Sequence, residues 1–275
     1  MSKDDQILHS AVAGKAPAKE EASPSAFKLF FEEVAGIAQF TGHFFRELIK
    51  PPYEFKEFAK QAYLIGYKTL PLVGITGFIM GLVLTIQSRP TLSEFGAESW
   101  IPAMVSVSIV REIGPVITAL IFAGKVGSGI GAELASMKVT EQIDAMEVSG
   151  INPFNYVVVT RVMAAMLMLP VLVIISDAIG LYGSYVGVNI KGDVSFHLYF
   201  LQAFEKLEFA DVIPATIKTF VFGLAIGIIG CFKGYNSNKG TEGVGEAANS
   251  AVVIGSLCVF IIDMIAVQVT TLIYN

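Results

Sequence analysis

Charged residues are scarce in this chain of 275 residues. Asp, Glu, Lys and Arg make up 16% of it, and hydrophobic residues make up 53%. Soluble domains contain about 25% charged residues. The mean hydropathy of +0.63 comes from long apolar runs, so the composition predicts an integral membrane protein. The net charge of −5 belongs to loops and the N-terminal tail and gives no indication of nucleic-acid binding.

Residues that carry enzyme chemistry are also few. Both cysteines, Cys231 and Cys258, fall in apolar segments, which excludes a disulfide framework and favours a packing role. The three histidines have no candidate nucleophile beside them, and the chain contains no HExxH, CxxC or GxSxG motif. Gly124-Lys125 is followed by Val126, whereas a P-loop requires Ser or Thr there. The sequence therefore predicts a chain that is not an enzyme and binds no metal; any ATP would be hydrolysed by a separate subunit.

The N-terminal region divides into a polar part and an amphipathic part. Residues 1–25 lack the apolar core of a signal peptide and are predicted to be a disordered cytoplasmic tail. Residues 26–50 place phenylalanines and aliphatic residues at helical spacing between charged positions. This pattern predicts an amphipathic helix in the membrane interface, with a core helix of a soluble domain as the alternative. Pro51 and Pro52 would end it.

Five apolar segments are long enough to cross a bilayer, which requires about 20 helical residues. They cover about 64–88, 101–124, 156–190, 212–232 and 249–273. The predicted fold is an all-α integral membrane protein in which residues 26–275 form one domain. A short cytoplasmic helix over about 136–149 would connect the second and third transmembrane helices.

The distribution of lysine and arginine predicts the orientation. With the N-terminus in the cytoplasm, 13 basic residues lie inside and only Arg89, Lys191 and Lys206 lie outside. We therefore expect a cytoplasmic N-terminus and a C-terminus on the far side.

Charged residues also interrupt the predicted transmembrane helices. Arg111 and Glu112 lie in the second, Lys218 in the fourth, and Asp177 and Asp263 in the third and fifth. At 1.5 Å per residue, Arg111 would lie about 15 Å deep, near the middle of the bilayer. Such groups face a polar cavity or one another. Two interpretations stay open: Arg111 and Lys218 contact a ligand, or Lys218 forms a structural ion pair with Glu112 or Asp263.

The predicted cavity lining is apolar, with cations at one end. Ile79 and Val83 on the first transmembrane helix are predicted to face this cavity. An apolar wall with a few cations suits an amphiphile that has an anionic head group and acyl tails.

The segment from residue 136 to 149 is predicted to contact a partner. Glu141, Asp144 and Glu147 recur every three residues and would share one side of a helix, with Met146 on another side. Gly150 would end this helix. One interpretation is a coupling helix that binds a cytoplasmic ATPase, and the alternative is a solvated connector.

Several ordered motifs resemble one known family. They are REIGPV at 111–116, FAGKVGS at 122–128, TEQIDAME at 140–147, NP at 152–153, FKGY at 232–235 and GTEGVG at 240–245. Together they resemble the MlaE/YrbE permeases over roughly residues 30–275.

The resemblance implies a permease subunit of an ABC transporter for phospholipids in the inner membrane. Two permease copies would form the membrane core, and a cytoplasmic ATPase dimer would bind ATP and Mg²⁺. An MCE-domain ring would lie on the outer side, with a STAS-domain protein on the ATPase. The implied role is lipid traffic between the inner and outer membranes, which maintains outer-membrane asymmetry. Arg111, Glu112 and Lys218 match the residues around the family's lipid pocket.

Two other functions remain as alternatives to the ABC permease. One is a secondary lipid transporter driven by an ion gradient, and the other is a membrane scaffold that transports nothing. The absence of an inverted repeat argues against the first of these. The lipid and the direction of transport stay open.

Overall fold

A computed structural model describes residues 26–51, 53–190, 192–237 and 240–274, and the tail predicted at residues 1–25 lies outside this range. The described residues divide into two compact units, one that ends at Gln39 and one that begins at Phe40. The secondary structure of the described residues is helical and contains no strand. Outside the second membrane-spanning segment, the α-helices are α1 Ala26–Leu48, α2 Phe55–Glu94, α6 Gln142–Val148, α7 Thr160–Asn189, α8 Phe196–Glu205, α9 Phe209–Tyr235 and α10 Thr241–Tyr274.

Five helical segments are long and apolar enough to cross a membrane, which confirms the predicted fold class. These spans, numbered first to fifth, are Phe55–Glu94, Glu98–Val139, Phe154–Asn189, Phe209–Tyr235 and Thr241–Ile273. The first, second and fourth spans extend beyond the predicted apolar segments at both ends, because polar residues there continue the helix. The second span consists of α3 Ile101–Ser108, α4 Gly114–Phe122 and α5 Ser128–Val139, joined by two π-helical segments.

The short helices α6 and α8 lie at opposite ends of the spans. The helix predicted over 136–149 is shorter than expected: α5 ends at Val139, and α6 covers only Gln142–Val148. A turn separates the two, with Glu141 in the left-handed region at φ 58°. The amphipathic helix predicted at 26–50 corresponds to α1, which ends at Leu48. Its position in a membrane interface stays a prediction.

Close backbone contacts hold the first span against the third. A Cβ atom at Gly81 would collide with the carbonyl oxygen of Gly180, and one at Gly183 would collide with that of Phe78. Small residues at these positions therefore allow the two helix backbones to approach closely.

Buried hydroxyl groups connect these two spans to α8. Ser184 is 2.6 Å from Thr85 Oγ1, and the Tyr199 hydroxyl donates to it at 2.6 Å. Burial raises the pKa of Tyr199 to about 12, so its hydroxyl remains a donor. The first and third spans and α8 thus form one packed unit at the α8 end.

Candidate functional site

The backbone of the second span changes geometry within its two most distinctive motifs. Residues Ile109–Ile113 and Ala123–Gly127 are π-helical. In the first of these segments, the Gly114 N–H donates to Ile109 O, five residues earlier. Pro115 follows and has no N–H to donate, so it cannot continue the regular ladder of hydrogen bonds. Single π-helical turns inside α-helices occur frequently at functional sites.

A buried lysine joins three spans next to the first π-helical segment. Lys218 of the fourth span lies 2.7 Å from Glu112 Oε2 in the second span and 2.9 Å from Asp263 Oδ1 in the fifth. The Lys218 side chain is only 6% exposed. The ion pairs that the sequence analysis kept as an alternative are therefore both present in the structure.

Arg111 lies beside this group but points toward the α8 end. Its Nη1 is 3.7 Å from Asp211 Oδ1, in the first turn of the fourth span, and its side chain is 52% exposed. Asp211 precedes Lys218 by seven residues, which is about 10 Å along a helix. The long arginine side chain thus carries its charge away from the depth of its own Cα atom.

We call Arg111, Glu112, Asp211, Lys218 and Asp263 the charged cluster. Lys218 is held between two carboxylates, whereas Arg111 has a single, longer contact with Asp211. At neutral pH the formal charges are two positive and three negative. Arg111 is therefore the cation of the cluster that remains available to an anionic ligand, and Lys218 is already neutralised.

An apolar groove starts at the charged cluster. A small cavity of about 20 Å³ is lined by Arg111, Glu112 and Lys218. It has room for roughly one water molecule. Lys218 also lines a groove of about 440 Å³ between the fourth and fifth spans. Its remaining lining residues are Ile213, Pro214, Ile217, Val221, Ile262, Ile265, Ala266, Val269, Thr270 and Ile273. A polar end joined to an apolar groove matches the chemistry of an amphiphile.

The apolar lining was predicted on the first span, whereas the groove lies between the fourth and fifth spans. Ile79 and Val83 are exposed on the first span, and neither lines the charged cavity or this groove in the described part of the chain. Their contact with lipid stays a prediction. A sequence signal for the groove existed in the spacing of Ile213, Ile217 and Val221, which places all three on one face of a helix.

Asp177 of the third span is separate from the charged cluster. Its Oδ1 atom is buried and has no hydrogen-bond partner among the described residues. The side chain lies against Gly114, where a Cβ atom would collide with the carboxylate. It also lines an apolar cavity of about 550 Å³ among the second, third and fourth spans and α8.

At the opposite end of the molecule, α6 presents a mixed surface. Ile143 is buried, Asp144 lies 3.9 Å from Lys138, and Lys138 lies over the Tyr235 ring at 5.6 Å. The ion pair holds α6 against the end of the second span, and the contact of Lys138 with Tyr235 joins that end to the fourth span. The Val148 side chain is 90% exposed, the largest fraction among the exposed large apolar residues of the described chain.

The residues predicted to bind an ATPase differ in their exposure. Glu141 and Glu147 are exposed, and Asp144 and Met146 are partly buried. Glu141 precedes α6 in a left-handed conformation, so it does not continue the helical row of Asp144 and Glu147. Their role in binding a partner stays a prediction. Among the described residues, no group of three or more His, Cys, Asp or Glu side chains is placed to hold a metal ion.

Comparison with known proteins places these features in a family. Residues 58–269 match the family model described as Permease MlaE. A probable ABC transporter permease protein of Rickettsia typhi is 42% identical over 232 residues, which cover 84% of this chain and 90% of the relative. A probable ABC transporter permease protein of Synechocystis is 34% identical over 242 residues, which cover 88% of this chain and 92% of the relative. The intermembrane phospholipid transport system permease protein MlaE of Haemophilus influenzae is 36% identical over 225 residues. These residues cover 80% of this chain and 86% of the relative.

Proposed function

The chain belongs to the MlaE permease family of ABC transporters, and we propose that it moves phospholipids between the inner and outer membranes. It is a multi-pass membrane permease rather than an enzyme. The observation that carries the proposal is the charged cluster at the start of the apolar groove. The name of the Haemophilus influenzae relative, an intermembrane phospholipid transport protein, supports the choice of lipid.

The geometry suggests how a phospholipid would bind. Arg111 is half exposed and has one long contact, so its guanidinium is available for a phosphate group. Arginine binds phosphate through two parallel hydrogen bonds, which a compact ammonium group cannot reproduce. The groove between the fourth and fifth spans would hold an acyl chain. In this proposal Lys218 positions Glu112 and keeps the three spans together without contacting the phosphate.

Partners would complete the transporter. An exposed apolar row on the fifth span, including Leu257, Phe260 and Met264, would pack against a second permease copy. The α6 end would face the cytoplasm and bind an ATPase dimer that holds ATP and Mg²⁺. The α8 end would face an MCE-domain ring, and a STAS-domain protein would join the ATPase. This orientation follows the excess of basic residues at the α6 end.

Reconstitution into lipid vesicles tests the proposed function. We expect the purified chain to hydrolyse no ATP, and the chain with its co-purified ATPase to move a labelled phospholipid only when ATP and Mg²⁺ are present. Lipid transfer that follows a pH gradient without ATP would instead support an ion-coupled transporter. An assembled complex that hydrolyses ATP and moves no lipid would support a scaffold.

Replacing Arg111 tests its contact with the head group. We expect Arg111→Ala to lower the phospholipid recovered with the purified complex about tenfold, because a hydrogen bond to a charged group contributes roughly 1.5–3 kcal/mol. Arg111→Lys should give an intermediate recovery, since it keeps the charge and loses the paired geometry. Mass spectrometry measures the phospholipid extracted from the wild-type, Arg111→Ala and Arg111→Lys complexes.

Asp211→Asn is the matched control for the Arg111 variants. It removes the negative charge beside Arg111 and keeps a side-chain oxygen that can accept the Glu208 N–H. Recovery of phospholipid should stay equal or rise. Unchanged recovery from Arg111→Ala would contradict the assignment.

A further inference from the structure

Asn152 connects the start of the third span to the end of α1, 105 positions earlier in the sequence. Its Oδ1 accepts hydrogen bonds from the Phe154 and Asn155 N–H groups at 3.1 and 3.3 Å. Its Nδ2 donates to Glu47 Oε2 at 2.9 Å. One side chain therefore caps the start of the third span and binds the end of α1.

The backbone from α6 to Asn152 is short and is held by hydrogen bonds. Gly150 has φ 76°, and its N–H donates to Glu147 O while the Ile151 N–H donates to Met146 O, each at 3.0 Å. This pair of hydrogen bonds is a Schellman motif, which ends a helix in one defined geometry. Asn152 follows directly, so its position is determined by the last turn of α6.

The α1 side of the connection is equally well held. Glu47 is only 5% exposed, and the Lys50 ammonium lies 2.6 Å from its Oε1. Asn155 Nδ2 donates to the Lys50 carbonyl at 3.3 Å. The hydrogen bond from Lys50 lowers the pKa of Glu47, so the carboxylate that binds Asn152 stays ionised at neutral pH.

We propose that the Glu47–Asn152 pair is a positioning joint through which a displacement of α6 moves the end of α1 together with the third span. The inference rests on the proposed function, in which an ATPase binds α6, and it adds that the ATPase displaces this helix. The other end of α6 is held to the second span through Lys138 and Asp144. One displacement of α6 would thus reach the second span, the third span and α1 simultaneously. The joint assigns a transport role to the Asn-Pro motif and to an acidic residue on α1.

The test exchanges donor and acceptor across the joint. In Asn152→Asp, the new carboxylate still caps the third span, but it has no Nδ2 donor and repels Glu47. We expect the complex to assemble and to hydrolyse ATP, with about fivefold less phospholipid moved per ATP. Combining it with Glu47→Gln supplies an amide donor to the new carboxylate. The double variant should move phospholipid per ATP at a ratio within about twofold of the wild type. This double-mutant cycle isolates the interaction between positions 47 and 152.

Two further variants separate the joint from general damage. Glu47→Gln alone keeps an oxygen that accepts from Asn152 and should stay near the wild-type ratio. Asn189→Asp makes the same exchange at the other end of the third span, where Asn189 Oδ1 accepts the Val194 N–H at 2.8 Å, and should also stay near that ratio.

The outcomes distinguish the joint from the proposed function. A wild-type complex that moves no phospholipid overturns the proposed function and the joint with it. If the wild-type complex is active and Asn152→Asp moves as much phospholipid per ATP, the joint alone is wrong. The joint is also wrong if Asn152→Asp lowers the ratio and Glu47→Gln does not restore it.

Discussion

Lys218→Ala should abolish ATP-driven lipid transport and lower the free energy of unfolding by about 3 kcal/mol, because removing one partner of a buried ion pair leaves uncompensated charge. Glu112 and Asp263 would face each other without the ammonium that now lies 2.7 and 2.9 Å from them. The estimate is at the low end for buried pairs, since Glu112 is partly exposed. Denaturant unfolding in detergent and lipid transfer in vesicles measure the two effects.

A variant without the charges of Lys218, Glu112 and Asp263 is the control for Lys218→Ala. Combining Lys218→Met with Glu112→Gln and Asp263→Asn removes all three charges and keeps similar volumes. Replacing a whole buried ion network by uncharged groups is often neutral for stability, so this variant should unfold near the wild-type free energy and still fail to transport lipid. A Lys218→Ala protein with wild-type stability and transport would show that the ion pairs of Lys218 contribute neither to the free energy of unfolding nor to lipid transport.

Val148→Asp should lower the amount of ATPase that co-purifies with the permease more than about tenfold, which corresponds to 1.4 kcal/mol. Val148 is 90% exposed at the end of α6, and an exposed apolar side chain on a docking helix gains free energy when a partner covers it. A carboxylate at that position would lose its hydration in the same interface without a partner charge. The ratio of the two proteins on a size-exclusion column measures the effect.

Leu198→Asp is the matched control for Val148→Asp. It introduces the same charge at an exposed apolar residue of α8, at the opposite end of the spans. ATPase binding should be unchanged in this variant. Full ATPase binding by Val148→Asp would contradict the docking surface, and a charge reversal of Asp144 and Glu147 would then test whether the acidic side of α6 binds instead.

The charged cluster was only partly predictable. Arg111 and Glu112 stand out because charge is rare inside an apolar segment, and the candidate partners of Lys218 are few for the same reason. Asp211 was not predicted as a partner of Arg111, since the contact depends on the direction in which a long arginine side chain extends. Likewise, no periodic pattern indicates that Glu47 and Asn152, 105 positions apart, share a hydrogen bond.

The amino-acid sequence by itself determined the membrane class, the five spans and the family, because apolar run lengths and contiguous motifs are local properties of a chain. Only the tertiary structure decided which charges are neutralised and which are available. The sequence left open whether Lys218 contacts a ligand or pairs with Glu112 or Asp263. Packing of three spans encloses it between these two carboxylates. The exposure of Val148 and the groove between the fourth and fifth spans also arise from packing, because burial depends on the neighbours that a fold supplies.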